Sequence, residues 1–160
     1  MKAEPQKEHQ WLEKLVGEWS YEHELPPEPG KPAQKFTGTE TVRSLGGLWV
    51  VCEGRGDVPG GGTSTTIMSL GYDPAKKKYL GTFIGSMMAE MWVYEGEVDP
   101  SGKVLTLDTE GPSFTAEGKT AKYKDSIELK SDDHRVLTSI VQGDDGNWQE
   151  FMSAHYRRTK

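Results

Sequence analysis

Clusters of glycine, proline and aspartate interrupt this chain at short and fairly even intervals. They include Gly46-Gly47, Pro59-Gly60-Gly61-Gly62, Asp73-Pro74, Asp99-Pro100-Ser101-Gly102, Gly111-Pro112, Ser131-Asp132-Asp133 and Gly143-Asp144-Asp145-Gly146-Asn147. The segments between them are too short for strand–helix–strand crossovers, which need a dozen or more residues each. Antiparallel hairpins fit those gaps. Composition agrees with that reading, since 7 Ala stand against 13 Thr, 10 Val, 6 Tyr and 5 Trp, a balance that favours strands. We read ten strands, at about 18–25, 35–45, 47–56, 63–72, 78–86, 91–99, 103–110, 118–130, 134–142 and 148–158. The Pro-rich segment from Leu25 to Pro32 reads as a long first hairpin loop. One helix precedes them at about 8–16, where Trp11, Leu12, Leu15 and Val16 form a single apolar stripe and Gly17 supplies a stop. So short a helix needs a docking partner.

Several strands alternate with period two, which buries one face and wets the other. Trp19, Tyr21, His23 and Leu25 share one face, and Tyr123, Asp125, Ile127 and Leu129 another. In the last strand Trp148, Glu150, Met152, Ala154, Tyr156 and Arg158 have common parity. Ten such strands joined by hairpins predict an all-β fold, a closed antiparallel up-and-down barrel, because closure removes exposed edges. A barrel of this strand number can leave an internal cavity. The 160 residues fit one such domain.

The rest of the composition excludes whole classes of function. A net charge of −6, from 19 basic and 25 acidic residues, argues against nucleic acid or an anionic membrane as partner. No apolar run approaches the ~18 residues of a membrane-spanning helix, and the first residues lack the apolar core of a secretory signal. The expectation is a soluble, cytoplasmic protein. Cys52 is the sole cysteine, which rules out an internal disulfide or a multi-cysteine metal site and reads as a buried, inert thiol.

Gly17-Glu18-Trp19 after the short helix resembles the Gly-x-Trp opening of the calycin superfamily, in which the Trp plugs one barrel end and an Arg of the last strand packs over it. Arg158 matches that Arg, with Arg157 as the alternative, and a cation laid on the indole is worth ~0.5–2 kcal/mol. Glu8-His9-Gln10-Trp11-Leu12, Leu45-Gly46-Gly47-Leu48-Trp49, Leu70-Gly71-Tyr72-Asp73-Pro74, Tyr94-Glu95-Gly96 and Leu107-Asp108-Thr109-Glu110-Gly111-Pro112 follow in order, closed by Tyr156-Arg157-Arg158. This succession resembles the bacterial, lipocalin-like domain-of-unknown-function family 1579. The resemblance implies the barrel and carries almost no function with it. In one respect the chain departs from that pattern: Phe83-Ile84 is followed by Gly85, where relatives often carry an Asp.

Candidate site residues follow from parity. His23, Asp125 and Glu150 are polar groups with inward parity, and Glu40 is a weaker case of the same kind. Buried charge is costly unless paired, so each either anchors a polar ligand group or is neutralised by Arg43, a lysine or water. Met87, Met88 and Met91 with Trp92 and Tyr94 form an adaptable apolar run at a hairpin, suited to lining a cavity mouth or to filling core gaps. Met68, Phe83, Tyr123 and Met152 complete the expected wall.

The catalytic templates mostly fail. Gly54 to Gly62 lacks both the spacing and the lysine of a phosphate loop and leads into a strand. The four histidines lack metal-ligand spacing, Asp144 to Asn147 is too short for a calcium loop, and no Gly-x-Ser-x-Gly elbow occurs. No metal, cofactor or catalytic residue is therefore assigned. The preferred reading is a barrel that holds a small, largely apolar molecule. Two others stay open: a small barrel enzyme, an isomerase or hydrolase using His23, Asp125 and Glu150 as acid and base, and a haem-binding barrel like the nitrobindins. The latter use a late-strand histidine, and His155 has outward parity. Homodimerisation along the barrel wall stays open as well.

Overall fold

A computed structural model describes residues 2–25, 28–58 and 60–160. Helix α1 (Lys7–Glu13) is followed by β1 (Gly17–Glu24), β2 (Lys35–Leu45), β3 (Trp49–Asp57), β4 (Thr63–Asp73) and β5 (Lys78–Gly85). Then come β6 (Trp92–Val98), β7 (Val104–Pro112), β8 (Thr120–Ser131), β9 (His134–Gln142) and β10 (Trp148–Arg158). Every strand pairs antiparallel with its neighbour in sequence, and β1 pairs with β10 to close the barrel. The expected architecture is the observed one. Within the Pro-rich first loop, Pro26 and Pro27 lie outside the described residues, as does Pro59 in the β3–β4 turn.

The helix differs from its expected bounds, starting earlier and ending three residues sooner. His9 accounts for the start. Its Nδ1 accepts from the Gln6 backbone N–H at 2.9 Å, so the first turn is capped from within. Its Nε2 is 3.1 Å from the Tyr72 carbonyl, which fixes Nε2 as the protonated nitrogen. At the other end Leu15 and Val16 make tight i→i+3 bonds, to the carbonyls of Leu12 and Glu13. This tightening frees carbonyls that the barrel then uses.

Those carbonyls seal one end of the barrel. Trp19 Nε1 donates to the Leu15 carbonyl at 2.9 Å, and Trp19 is only 1% exposed. Arg158 lies with its guanidinium 4.3 Å from the Trp19 ring centre and donates to the carbonyls of Val16 and Lys14. Arg158, not Arg157, is thus the residue over the indole, and Trp19 and Arg158 face one another across the β1–β10 ladder. The helix adds Trp11, whose Nε1 donates to the Gly102 carbonyl at 2.7 Å, and Tyr79 returns a bond to the Glu8 carbonyl. Leu12, Leu15, Val50, Leu70, Leu105 and Leu107 are fully buried in the core alongside it. At the opposite end Met87, Met91 and Phe114 stand on exposed hairpins.

Candidate functional site

The lumen above this plug is hollow. A cavity of about 490 Å³ runs along β1–β4 and β9–β10, and a second of about 260 Å³ lies towards β6–β8. Met68, Phe83, Met87, Leu137 and Met152 border both, so they are two lobes of one interior separated by apolar side chains. A larger depression, of about 810 Å³, is an open groove on the outer wall. It is bordered by Glu95, Asp108 and Lys124, whose parity is opposite to that of the buried Tyr94, Leu107 and Tyr123. An ion pair between Lys124 and Asp108 (2.6 Å) spans it.

The larger lobe has a charged floor. Arg135 on β9 forms an ion pair with Glu40 on β2. The side chains are 5% and 12% exposed. The Arg135 guanidinium also lies 4.0 Å from the centre of the Tyr156 ring and 4.6 Å from that of Trp19. Arginine suits this position because its flat, weakly hydrated cation can stack on rings and pair with a carboxylate at once. Cys52 is buried beside the pair, and burial pushes its thiol well above the ordinary range, so it is inert at neutral pH. Burial likewise raises Tyr156.

Higher up the same lobe, Tyr21 lies flat against the wall. A Cβ on Gly38 would come 2.3 Å from its ring, and one on Gly56 would come 2.0 Å from its hydroxyl. Only glycine leaves that bed open. His23 follows, stacked near Tyr21 and tilted 5.1 Å from Phe36, and burial lowers its pKa. It lines the lumen without a side-chain partner of opposite charge among the described residues.

The smaller lobe is aromatic, with a polar belt. Trp92 lies over Gly111, where a Cβ would meet the ring at 2.2 Å. Its edge meets Tyr123 at 5.1 Å, and Phe114 and Phe151 complete the box. Behind them Tyr94 on β6 donates to Asp125 on β8 at 2.6 Å, and Ser139 on β9 also bonds to that carboxyl. Burial is the main reason the Asp125 pKa is raised, opposed by these two hydrogen bonds. Tyr94 is pushed up by burial and by the adjacent carboxyl, so it acts only as a donor.

The structure brings His23, Glu40, Met68, Phe83, Trp92, Tyr94, Tyr123, Asp125 and Met152 together around the lumen. Glu150 and Met91 are corrections. Glu150 is exposed because the β9–β10 ladder shifts register between Glu150 and Met152. That bulge inserts one residue and turns Trp148 and Glu150 to the opposite face from Met152, Ala154 and Tyr156. Met91 is 62% exposed because β6 begins one residue later and leaves it on the hairpin. The expected partner Arg43 is exposed and pairs with neither Glu40 nor Asp125.

Arg135, Thr109, Ser139, Phe114 and Phe151 escaped the sequence reading. For Arg135 and Ser139 the signal was present in the register, since Arg135 faces Tyr156 and Ser139 faces both Asp125 and Met152. It was obscured because β9 carries apolar residues on both faces.

The fold is thus a closed ten-stranded antiparallel barrel with a helical plug and a hollow, aromatic-lined lumen. The family model described as "Protein of unknown function (DUF1579)" matches residues 4–158, and the chain belongs to that family. Among solved structures it is similar to Rv2717c from M. tuberculosis, with 14% identity and a TM-score of 0.61, covering 98% of this chain and 100% of that one. It is also similar to the S-type phycobiliprotein lyase CPES from Guillardia theta, with 13% identity, a TM-score of 0.57, and 95% and 92% covered. A third similar barrel is EF1p2_mFAP2b bound to DFHBI, with 12% identity, a TM-score of 0.50, and 94% and 98% covered. At these identities the likeness is one of fold. No curated protein matches the chain.

Proposed function

We propose that this protein is a small-molecule binding barrel whose guest, a largely apolar molecule, sits in the two-lobed lumen. The observation that carries the reading is the pairing of an apolar, hollow interior with charged groups kept apart in separate lobes. Glu40 is held by Arg135, and Asp125 by Tyr94 and Ser139. An acid–base enzyme would instead bring two perturbed groups within reach of one substrate atom. The larger lobe, at about 490 Å³, falls in the range of ordinary ligand sites, which combine apolar walls with a few placed polar groups. The similar barrel EF1p2_mFAP2b is bound to DFHBI, and the present lumen has an aromatic and methionine lining of the kind that adapts to apolar guests. The haem alternative receives no support from His155, which is exposed and stacked on His134 outside the barrel.

The test is a fluorescence titration with Nile red, a neutral apolar dye, against the wild type and Met68→Trp. Met68 borders both lobes, so an indole there fills their junction. Saturable enhancement in the wild type, weakened at least tenfold in Met68→Trp at equal foldedness by circular dichroism, is expected. No saturable binding, or equal binding by both proteins, would overturn the reading. Native mass spectrometry of protein purified from its own host would then identify the resident guest.

A further inference from the structure

The smaller lobe has an imbalance of hydrogen-bonding groups that narrows the chemistry of its occupant. Its aromatic donors are already committed. Trp92 Nε1 donates to Met88 Sδ at 3.3 Å, the Tyr123 hydroxyl to the Pro112 carbonyl at 2.5 Å, and the Tyr94 hydroxyl to Asp125. Acceptors are left over. A carboxylate offers about four lone-pair positions, and Asp125 receives bonds from only Tyr94 and Ser139. Thr109 Oγ1, on the strand between β6 and β8, is buried without a hydrogen-bond partner among the described residues. An orphaned buried hydroxyl is costly, so a guest that satisfies it gains affinity. Asp125 is the one acidic or basic side chain bordering this lobe, and no cation stands against it among the described residues.

From this we infer that the smaller lobe takes the protonated amine of a small aromatic or alkyl amine, with its nitrogen at Asp125 and Thr109 and its body against Trp92, Tyr123 and Phe151. The faces of such rings attract a cation, and the carboxylate completes its charge. The inference rests on the lumen being a binding site and specifies the class of guest. The remainder of a longer guest extends past Met68 and Phe83 into the larger lobe. There Glu40 already neutralises the Arg135 charge and would repel a second carboxylate, although the Arg135 Nε–H is buried without a partner among the described residues.

Binding also couples to a proton. The groups facing Asp125 are Tyr94 from β6, Leu107 from β7 and Ser139 from β9, none of which is charged at neutral pH, and Thr109 lies one pair further along β7, opposite Tyr123. With burial raising its pKa, the carboxyl keeps its proton further up the pH scale than an exposed aspartate. An arriving ammonium favours the ionised form, and the carboxyl proton leaves to the buffer. Affinity therefore rises as pH is raised through the folded carboxyl's titration while the amine stays protonated.

Isothermal titration calorimetry with 2-phenylethylamine, 2-phenylethanol and 3-phenylpropanoate tests this directly. The amine is expected to bind at least tenfold more tightly than either, with apparent enthalpy differing between phosphate and Tris buffers because a proton is released. Asp125→Asn, which can still accept from Tyr94, should erase the preference while circular dichroism reports an intact barrel. Equal affinity for the three probes, or a preference for the carboxylate, overturns the inference even if the Asn variant fails to fold. An amine preference that survives Asp125→Asn overturns it as well. Failure of Nile red to enter the wild type sinks the lumen reading itself, a result distinguishable from loss of the amine preference alone.

Discussion

Replacing Arg135 by methionine removes the cation from the floor of the larger lobe and leaves Glu40 facing an apolar interior. The partner side chains are 5% and 12% exposed, so little solvent remains to screen the orphaned charge. Removing one partner of a buried pair costs about 3–5 kcal/mol. Against a total of about 5–15 kcal/mol for a domain, this is a large share. With a urea slope of about 2 kcal/mol/M, the unfolding midpoint should fall by about 2 M. The double variant Glu40→Leu with Arg135→Met replaces both charges by apolar groups of similar volume. It should return to within about 2 kcal/mol of the wild type, because desolvation offsets most of what the ion pair contributes. Urea unfolding followed by tryptophan fluorescence and by circular dichroism measures all four corners of this cycle. A loss below 1 kcal/mol in Arg135→Met would refute the buried-pair reasoning. So would a double variant as unstable as the sum of its singles.

Gly111→Ala should push Trp92 off the wall, since a Cβ there would lie 2.2 Å from the ring. Overpacking of this kind costs about 1–3 kcal/mol, and the displaced indole should shift its emission and weaken probe binding in the smaller lobe. Unchanged emission and stability would show that the bed is not needed. Asp125 gives a pH signature. A carboxyl whose folded pKa is raised contributes stability that is present below the ordinary value of about 3.9 and lost as pH rises through the folded value. Asp125→Asn lacks that loss, so its melting temperature relative to the wild type should climb as pH goes from 4 towards 8. A difference that stays constant across that range would contradict the raised pKa.

The strands were legible because their ends are written in turn residues, whose backbone demands are local. The face of each strand was legible wherever alternation ran unbroken, as from Trp19 to His23 and from Tyr123 to Leu129. It failed at Glu150 because one inserted residue in β10 reverses parity, and nothing in the local composition announces a bulge. Arg135 was missed for a different reason. A charge on a strand reads as outward-facing, and its true orientation depends on Glu40, ninety-five positions earlier in the chain. The polar belt of Tyr94, Thr109, Asp125 and Ser139 is likewise a property of register across four strands, which no window of sequence contains. Helix α1 was placed by its apolar stripe, while its limits depended on His9 and on the tightened turn at Leu15.

The plug formed by Trp19, Arg158 and the helix leaves the barrel a vessel with one mouth, fringed by Met87 and Phe114. A molecule that goes in must come out past the same fringe, crossing the same barrier in both directions. Alterations at an exposed hairpin residue that borders neither lobe, such as Met91, should then hasten or slow filling and emptying by equal factors and leave the equilibrium constant where it was, whereas alterations at the floor should change how long an occupant stays without changing how fast it arrives.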